Sequence, residues 1–217
     1  MGSTSDSWLR YRRHLCSVPS LGLTLDVSRM GFDEAFLSRM APELARAFRE
    51  MEELEKGAIA NPDEKRRVGH YWLRSPKRAP EPEISAEIER SGAAIRAFVA
   101  DVHSGRVRPA RAERFTGVLS IGIGGSALGP MFVSDALGDP ARDRMRMGFL
   151  DNTDPDGISR ELRRLEGRLG ETLCLVTSKS GATPEPRNAM VHVRAAYVRA
   201  GLDFVAGTRQ WWIDPSY

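Results

Sequence analysis

The sequence predicts an α/β fold: a parallel sheet sandwiched between helices and preceded by a helical N-terminal segment. Three observations predict it. From residue 115 onward, short apolar runs alternate with helix-periodic stretches, the pattern of βαβ units. Two loops rich in glycine, serine and threonine each follow such a run and open a helix. Before residue 115 the apolar residues recur at helical spacing instead. A chain of 217 residues is long enough for one sizeable α/β domain plus a smaller attached segment with a real core.

The helical segment is read first. Phe36, Met40, Leu44, Phe48 and Met51 share one helical face, with Leu37, Ala47 and Leu54 beside it. Pro42 is expected to divide this stretch into a short helix and a longer one, since proline suits a first turn and not an interior. Gly57 closes the second helix, and Asn61-Pro62 marks a turn. Residues 75–82 are rich in proline and charge and read as a loop. Ile84, Ile88, Ile95, Phe98, Val99 and Val102 then form the apolar face of another helix, which Gly105 ends.

The sheet follows. Val118-Leu119-Ser120-Ile121-Gly122-Ile123 reads as a buried strand, with a glycine-rich turn and a short helix after it, through about Leu137. Met147-Gly148-Phe149-Leu150 is a second strand, residues 158–169 a second helix, and residues 172–177 a third strand. Residues 184–200 form a third helix with Met190, Val193, Tyr197 and Val198 facing inward. Three parallel strands leave exposed edges, so the domain is expected to be incomplete. Phe204-Val205 is the candidate start of a fourth strand. The division expected is 1–114 for the helical segment, 115–206 for a partial ligand-binding domain and 207–217 for a divergent tail whose Trp211, Trp212 and Tyr217 have no periodic partner.

Composition excludes several classes. Hydrophobic residues make up 41% and charged residues 28%, and the net charge is only +3. No apolar run approaches membrane-spanning length, so no membrane partner is expected. The first eight residues lack the apolar stretch of a secretory signal. Arg10, Arg12 and Arg13 could end a transit peptide, but Asp6 interrupts that short stretch. Cys16 and Cys174 form no disulfide framework, and no group has metal-ligand spacing. Cys174 lies in an apolar run and reads as a buried, inert thiol. A reduced, cytoplasmic compartment fits. Arg66, Arg67, Arg74, Lys77 and Arg78 make a local basic stretch, read as a solvated or partner-facing surface. Without a recognisable module or interleaved aromatics, no nucleic-acid partner is expected.

Chemistry concentrates in the two loops. The first is Gly122-Ile123-Gly124-Gly125-Ser126-Ala127-Leu128-Gly129-Pro130. The second is Ser178-Lys179-Ser180-Gly181-Ala182-Thr183-Pro184-Glu185. Glycines let the backbone approach an anion, helix N-termini supply free N–H groups, and hydroxyls add neutral hydrogen bonds. Together they suit a phosphate monoester. Gly122-x-Gly124-x-x-Ala127 also matches a dinucleotide fingerprint, yet Asp151 lies further along than that fingerprint expects. Each residue has a structural reading as well: Ser126 or Thr183 as a helix cap, Pro184 as a first-turn residue, Glu185 as a dipole complement. The side chain of Lys179 could contact the ligand or point away. His70 and His103 are lone histidines, read as packed or solvated. Asp154-Pro155-Asp156-Gly157 reads as turn and cap chemistry.

Ser120-Ile121-Gly122-Ile123-Gly124-Gly125-Ser126-Ala127-Leu128-Gly129-Pro130 resembles the first signature loop of the glucose-6-phosphate isomerase family. The Ser178 to Glu185 loop is similar to that family's second phosphate loop, with Asp151-Asn152-Thr153-Asp154-Pro155 between them as expected. Leu25-Asp26-Val27-Ser28-Arg29-Met30, Gly57-Ala58-Ile59-Ala60-Asn61-Pro62-Asp63-Glu64, Val68-Gly69-His70-Tyr71-Trp72-Leu73-Arg74 and Ala100-Asp101-Val102-His103-Ser104-Gly105 resemble the N-terminal segment of a cyanobacterial or plastid-like branch, which leaves a plastid location open. The resemblance covers about nine-tenths of the chain and fades near Phe204.

The resemblance implies a flavodoxin-like sugar-isomerase (SIS) domain. It implies aldose–ketose interconversion of glucose 6-phosphate and fructose 6-phosphate in glycolysis and gluconeogenesis, with no metal or organic cofactor. It also implies a typically homodimeric full-length protein. By motif, Gly124, Gly125 and Ser126 would line the sugar-phosphate site, and Ser178, Lys179, Ser180 and Thr183 would hold the phosphate. The family's arginine, glutamate base, ring-opening histidine and C-terminal lysine belong to motifs absent from these 217 residues, so no catalytic residue is assigned. The chain is expected to be an N-terminal portion that binds hexose 6-phosphate weakly and has no appreciable isomerase activity. The alternatives are a non-catalytic phosphosugar-binding SIS module and, third, a nucleotide-dependent oxidoreductase.

Overall fold

The computed structural model describes residues 4–179, 181–205 and 208–212, with side chains for residues 6–179 and 181–205. The chain divides into two compact units, Met1–Leu54 and Glu55–Tyr217.

The first unit is not wholly helical. Helix α1 (Thr4–Arg13) leads into an antiparallel hairpin of β1 (Leu15–Val18) and β2 (Leu23–Asp26), in which Leu15 pairs with Asp26 and Val18 with Leu23. The hairpin was hidden in the sequence because its strands have four residues each, too few for alternation to stand out. Arg10 organises this unit. Its guanidinium donates to the carbonyls of Ser28 (2.6 Å), Met30 (2.8 Å) and Phe32 (2.9 Å) and lies 5.0 Å from the Phe32 ring centroid. It thereby collects the end of the hairpin onto α1 through charge-assisted bonds.

Helix α2 (Glu34–Glu55) runs through Pro42 without a break, contrary to the expected division. Proline there removes the N–H that would bond the carbonyl of Ser38. Ser38 is exposed, so water can satisfy that carbonyl, and the helix formers on both sides carry the helix past the defect. The apolar stripe of α2 is present, but none of its residues is buried.

In the second unit, α3 (His70–Arg74) buries Trp72, whose indole N–H donates to the carbonyl of Glu55 at 2.9 Å. Helix α4 (Pro82–Ser104) ends at Gly105 as expected, with Ile84 and Val102 buried. Strands β3 (Gly117–Ile121), β4 (Arg146–Leu150), β5 (Thr172–Ser178) and β6 (Thr208–Trp212) form a parallel sheet in the order β4-β3-β5-β6. The fourth strand starts at Thr208 rather than at Phe204, and it runs through the segment expected to be a divergent tail. Phe204 is instead buried, edge-on to Tyr197.

Between the strands lie α5 (Leu128–Leu137), α6 (Pro155–Arg164) and α7 (Pro184–Arg199). The crossover from β3 to β4 and the one from β4 to β5 travel in opposite directions across the sheet. Right-handed connections therefore put α5 on one face and α6 and α7 on the other. Helix α7 packs on β3 and β5, and α6 on β4 and α7. Leu119, Ile121 and Cys174 meet Ile158, Ala189, Val193, Ala196 and Tyr197 in the main core. On the opposite side Leu173 packs with Val102 and Phe115, as the two-residue period of β5 requires. Val198, expected to face inward, is 66% exposed, and Ala189 and Ala196 take the inner positions. Positions 189, 193, 196 and 197 follow one helical face, and 198 is a further 100° around it.

Tyr197 donates from its hydroxyl to the carbonyl of Thr172 at 2.9 Å and contacts the Cys174 thiol at 3.4 Å. Burial pushes the Cys174 thiol up to about 11, only partly offset by the Tyr197 hydrogen bond. Cys16 is exposed. In the native chain at pH 8, a disulfide-exchange thiol reagent is expected to titrate Cys16 alone. Cys174 should react only on unfolding, because its thiolate is scarce and shielded. Tyr197→Phe removes a buried donor from the Thr172 carbonyl, and urea denaturation should show a loss of about 1–2 kcal/mol.

Candidate functional site: two loops at the switch point of the sheet

Strands β3 and β5 are neighbours, with Ile121 opposite Val176. Because the crossovers diverge at β3, the crevice between β3 and β5 is the topological switch point, where parallel sheets bind ligands beyond their carboxyl ends. The two loops singled out in the sequence leave from these two strands.

In the first loop, the Gly122 N–H donates to the carbonyl of Leu150 at 3.1 Å. A Cβ on Gly122 would sit 3.0 Å from both the Cβ and the carbonyl oxygen of Ser126, so the tight return of the loop requires glycine there. A 3₁₀ turn (Gly124–Ser126) follows, closed by bonds from Ser126 N to Ile123 O (3.1 Å) and from Ala127 N to Gly124 O (3.0 Å). Gly124 and Gly125 are exposed, with open space where a Cβ would be. Ser126 is half-buried and does not cap α5. The cap position falls on Ala127, and no side chain caps it. The structural role open to Ser126 in the sequence is therefore not the one it takes.

In the second loop, Ser178 ends β5. Its Oγ accepts from the N–H of Gly181 at 3.0 Å, and its hydroxyl donates to Thr183 Oγ1 at 3.4 Å. The first bond is strong and shapes the loop. The second is long, so the Ser178 proton can be redirected to a better acceptor at small cost. Lys179 is exposed. Ser180 lies outside the described residues. Thr183 holds the N-cap position of α7 with φ −63° and ψ 121°, but its side chain makes no capping bond. The structure thus brings Ser178 and Thr183 together and leaves Gly124, Gly125 and Lys179 open to solvent.

Gly181 was not singled out by sequence. Its φ of +68° is left-handed, and its N–H is the one that Ser178 receives. A serine with glycine three residues on is the turn signal that could have found it. Proline spacing was missed too. Pro184 and Pro186 occupy the first turn of α7, so two backbone N–H groups are lacking there. The helix end keeps its dipole but is poor in donors, which shifts anion recognition towards hydroxyls and the loop backbone.

The acidic residues after β4 are structural, as their turn pattern predicts. Asp154 caps α6, accepting from Asp156 N at 3.3 Å and Gly157 N at 2.8 Å, with Pro155 in the first turn. Asn152 accepts from Asp154 N at 2.9 Å and donates to Asp151 at 2.8 Å. His70 lies tilted against the Tyr71 ring in α3, and His103 is exposed in the last turn of α4; neither is on a loop of the site. In the basic stretch, Arg66 pairs with Glu64, Arg67 with Glu81, and Arg78 with Glu55, so much of its charge is locally neutralised. Among the described residues, no helix is long and apolar enough to cross a membrane.

The family model described as phosphoglucose isomerase matches residues 26–203. The chain belongs to the phosphoglucose isomerase family. Among curated relatives, the glucose-6-phosphate isomerase of Nostoc sp. strain PCC 7120 is 54% identical over 197 residues, and that of Geobacter sulfurreducens is 57% identical over 198. Each alignment covers 91% of this chain and 37% of the relative, so the chain spans little more than a third of the length of the curated relatives it matches. The crystal structure of a glucose-6-phosphate isomerase from Chlamydia trachomatis superposes with a TM-score of 0.75 at 27% identity, covering 94% of this chain and 39% of that one. The phosphoglucose isomerase match stops at residue 203, beside Phe204, where the sequence resemblance fades; β6 lies beyond it.

Within this phosphoglucose isomerase segment, the cap and the loops are separable. Asp154→Ala should cost about 1 kcal/mol in chemical denaturation. It should leave the affinity for a phosphorylated ligand unchanged, which titration of the purified variant checks.

Proposed function

We propose that this chain holds the phosphate of a hexose 6-phosphate between the two loops at the β3/β5 switch point, as the phosphate-binding portion of a phosphoglucose isomerase. Ser178 and Thr183, with Lys179, Ser180 and the loop backbone, grip the phosphate. Gly124, Gly125 and Ser126 face the sugar. The single observation that carries this reading is the paired placement of two hydroxyl- and glycine-rich loops on adjacent strands. The open space above Gly124 and Gly125 supports it further.

The isomerisation of glucose 6-phosphate to fructose 6-phosphate moves a proton between C1 and C2 through an enediol and needs a carboxylate base. No such base stands among the residues of the two loops, apart from Glu185 in the first turn of α7, where it complements the helix dipole. The two loops therefore bind and orient substrate, and the proton transfer depends on groups outside them.

Calorimetric titration of the purified chain with fructose 6-phosphate tests the reading. Binding is expected, together with no turnover in a coupled assay. The double substitution Ser178→Ala and Thr183→Val should weaken affinity by about tenfold or more, through loss of two hydrogen bonds to a charged group. Tighter binding of NAD than of the hexose phosphate, or unchanged affinity in the double variant, would reject it.

A further inference from the structure

We propose that the cavity at the amino-terminal end of the sheet, walled by Arg111, Arg163 and Arg199, binds a small polyphosphate. The cavity has a volume of about 890 Å³ and lies between the ends of α6 and α7 and the turn before β5. It is at the opposite end of the strands from the two loops. That volume is in the range of small-molecule sites. Its floor is apolar, formed by Ile158, Leu162, Leu169 and Ala196.

The three arginines come from three separate segments, and none forms an ion pair among the described residues. Arg163 and Arg199 occupy the last turns of α6 and α7, where a cation also complements the helix dipole. Arg111 has no such role. It belongs to the segment between α4 and β3, and its Nη1 is 3.9 Å from the position of a Cβ on Gly201, so its guanidinium reaches the end of α7. Of the two carboxylates on the wall, Glu171 is already held by Arg146 at 3.7 Å, which leaves Glu166 and the carbonyl ends of α6 and α7 as the negative charge facing the three guanidiniums. Three forked cations spaced around one cavity suit several linked phosphates better than a single one.

The test is titration of the chain with inorganic tripolyphosphate, and separately with ATP, at low salt. Both should bind. Tighter ATP binding assigns the site to a nucleotide's tail over the apolar floor, and tighter tripolyphosphate binding assigns it to a bare chain. The triple variant R111Q/R163Q/R199Q, checked for native circular dichroism, should lose about tenfold or more in affinity, and R111Q alone about threefold. R142Q/R144Q/R160Q removes the same charge elsewhere and should change affinity little. Equal losses in the two triple variants would overturn the proposal, as would unchanged affinity in R111Q/R163Q/R199Q, or preference for an oligoglutamate peptide over tripolyphosphate.

Discussion

The in-register pairing of β3 with β5 is the constraint on which the rest of the structure depends. Leu119 and Cys174 are opposite each other in the ladder and fully buried, and both turn toward α7. A slip of one residue would reverse every side chain of β5 and lose that core. The same pairing brings the carboxyl ends of the two strands side by side, and so sets the separation of the two loops. One ladder therefore fixes both the core packing and the spacing of the two loops. The Tyr197 hydroxyl, bonded to the first carbonyl of β5, ties α7 to the strand whose far end carries Ser178.

The two faces of the sheet are finished to different degrees. Helices α6 and α7 close one face with a continuous cluster of buried residues. On the other, α4 covers the start of β5 through Val102 and Phe98, while α5 buries none of its own residues. The glycine-rich loop that opens α5 is thus anchored by backbone bonds around Gly122 and Ser126, and the helix behind it adds little support. The second loop is anchored by a side chain, through Ser178 and Gly181. The phosphoglucose isomerase relatives that the chain matches are more than twice its length.

Much of the sheet domain was legible from sequence because its signals are local and redundant. Strands β3 and β5 are apolar runs ending at glycine or serine clusters, and α7 begins at Thr183-Pro184, a strong start signal. What failed did so for physical reasons. Pro42 was over-read as a breaker because the sequence does not say whether the orphaned carbonyl faces water. The hairpin of residues 15–26 was invisible because strands of four residues are too short for alternation to register, and the Arg10 bonds that gather the segment after it span 18 to 22 residues. The loops themselves were found, but their inner geometry was not: the Gly181 turn and the two prolines of α7 matter through backbone N–H groups, which carry no residue-type label. The inward placement of Ala189 and Ala196 was missed because small residues give a weak periodic signal.

Helix α5 has a consequence for the chain as a colloid. Leu128, Phe132, Val133 and Leu137 are 62%, 73%, 53% and 78% exposed on a helix of ten residues. A net charge of +3 gives only weak mutual repulsion between molecules. Apolar surface of that kind gathers its own cover, so the chain in isolation should associate with itself as concentration rises and as salt screens what repulsion there is.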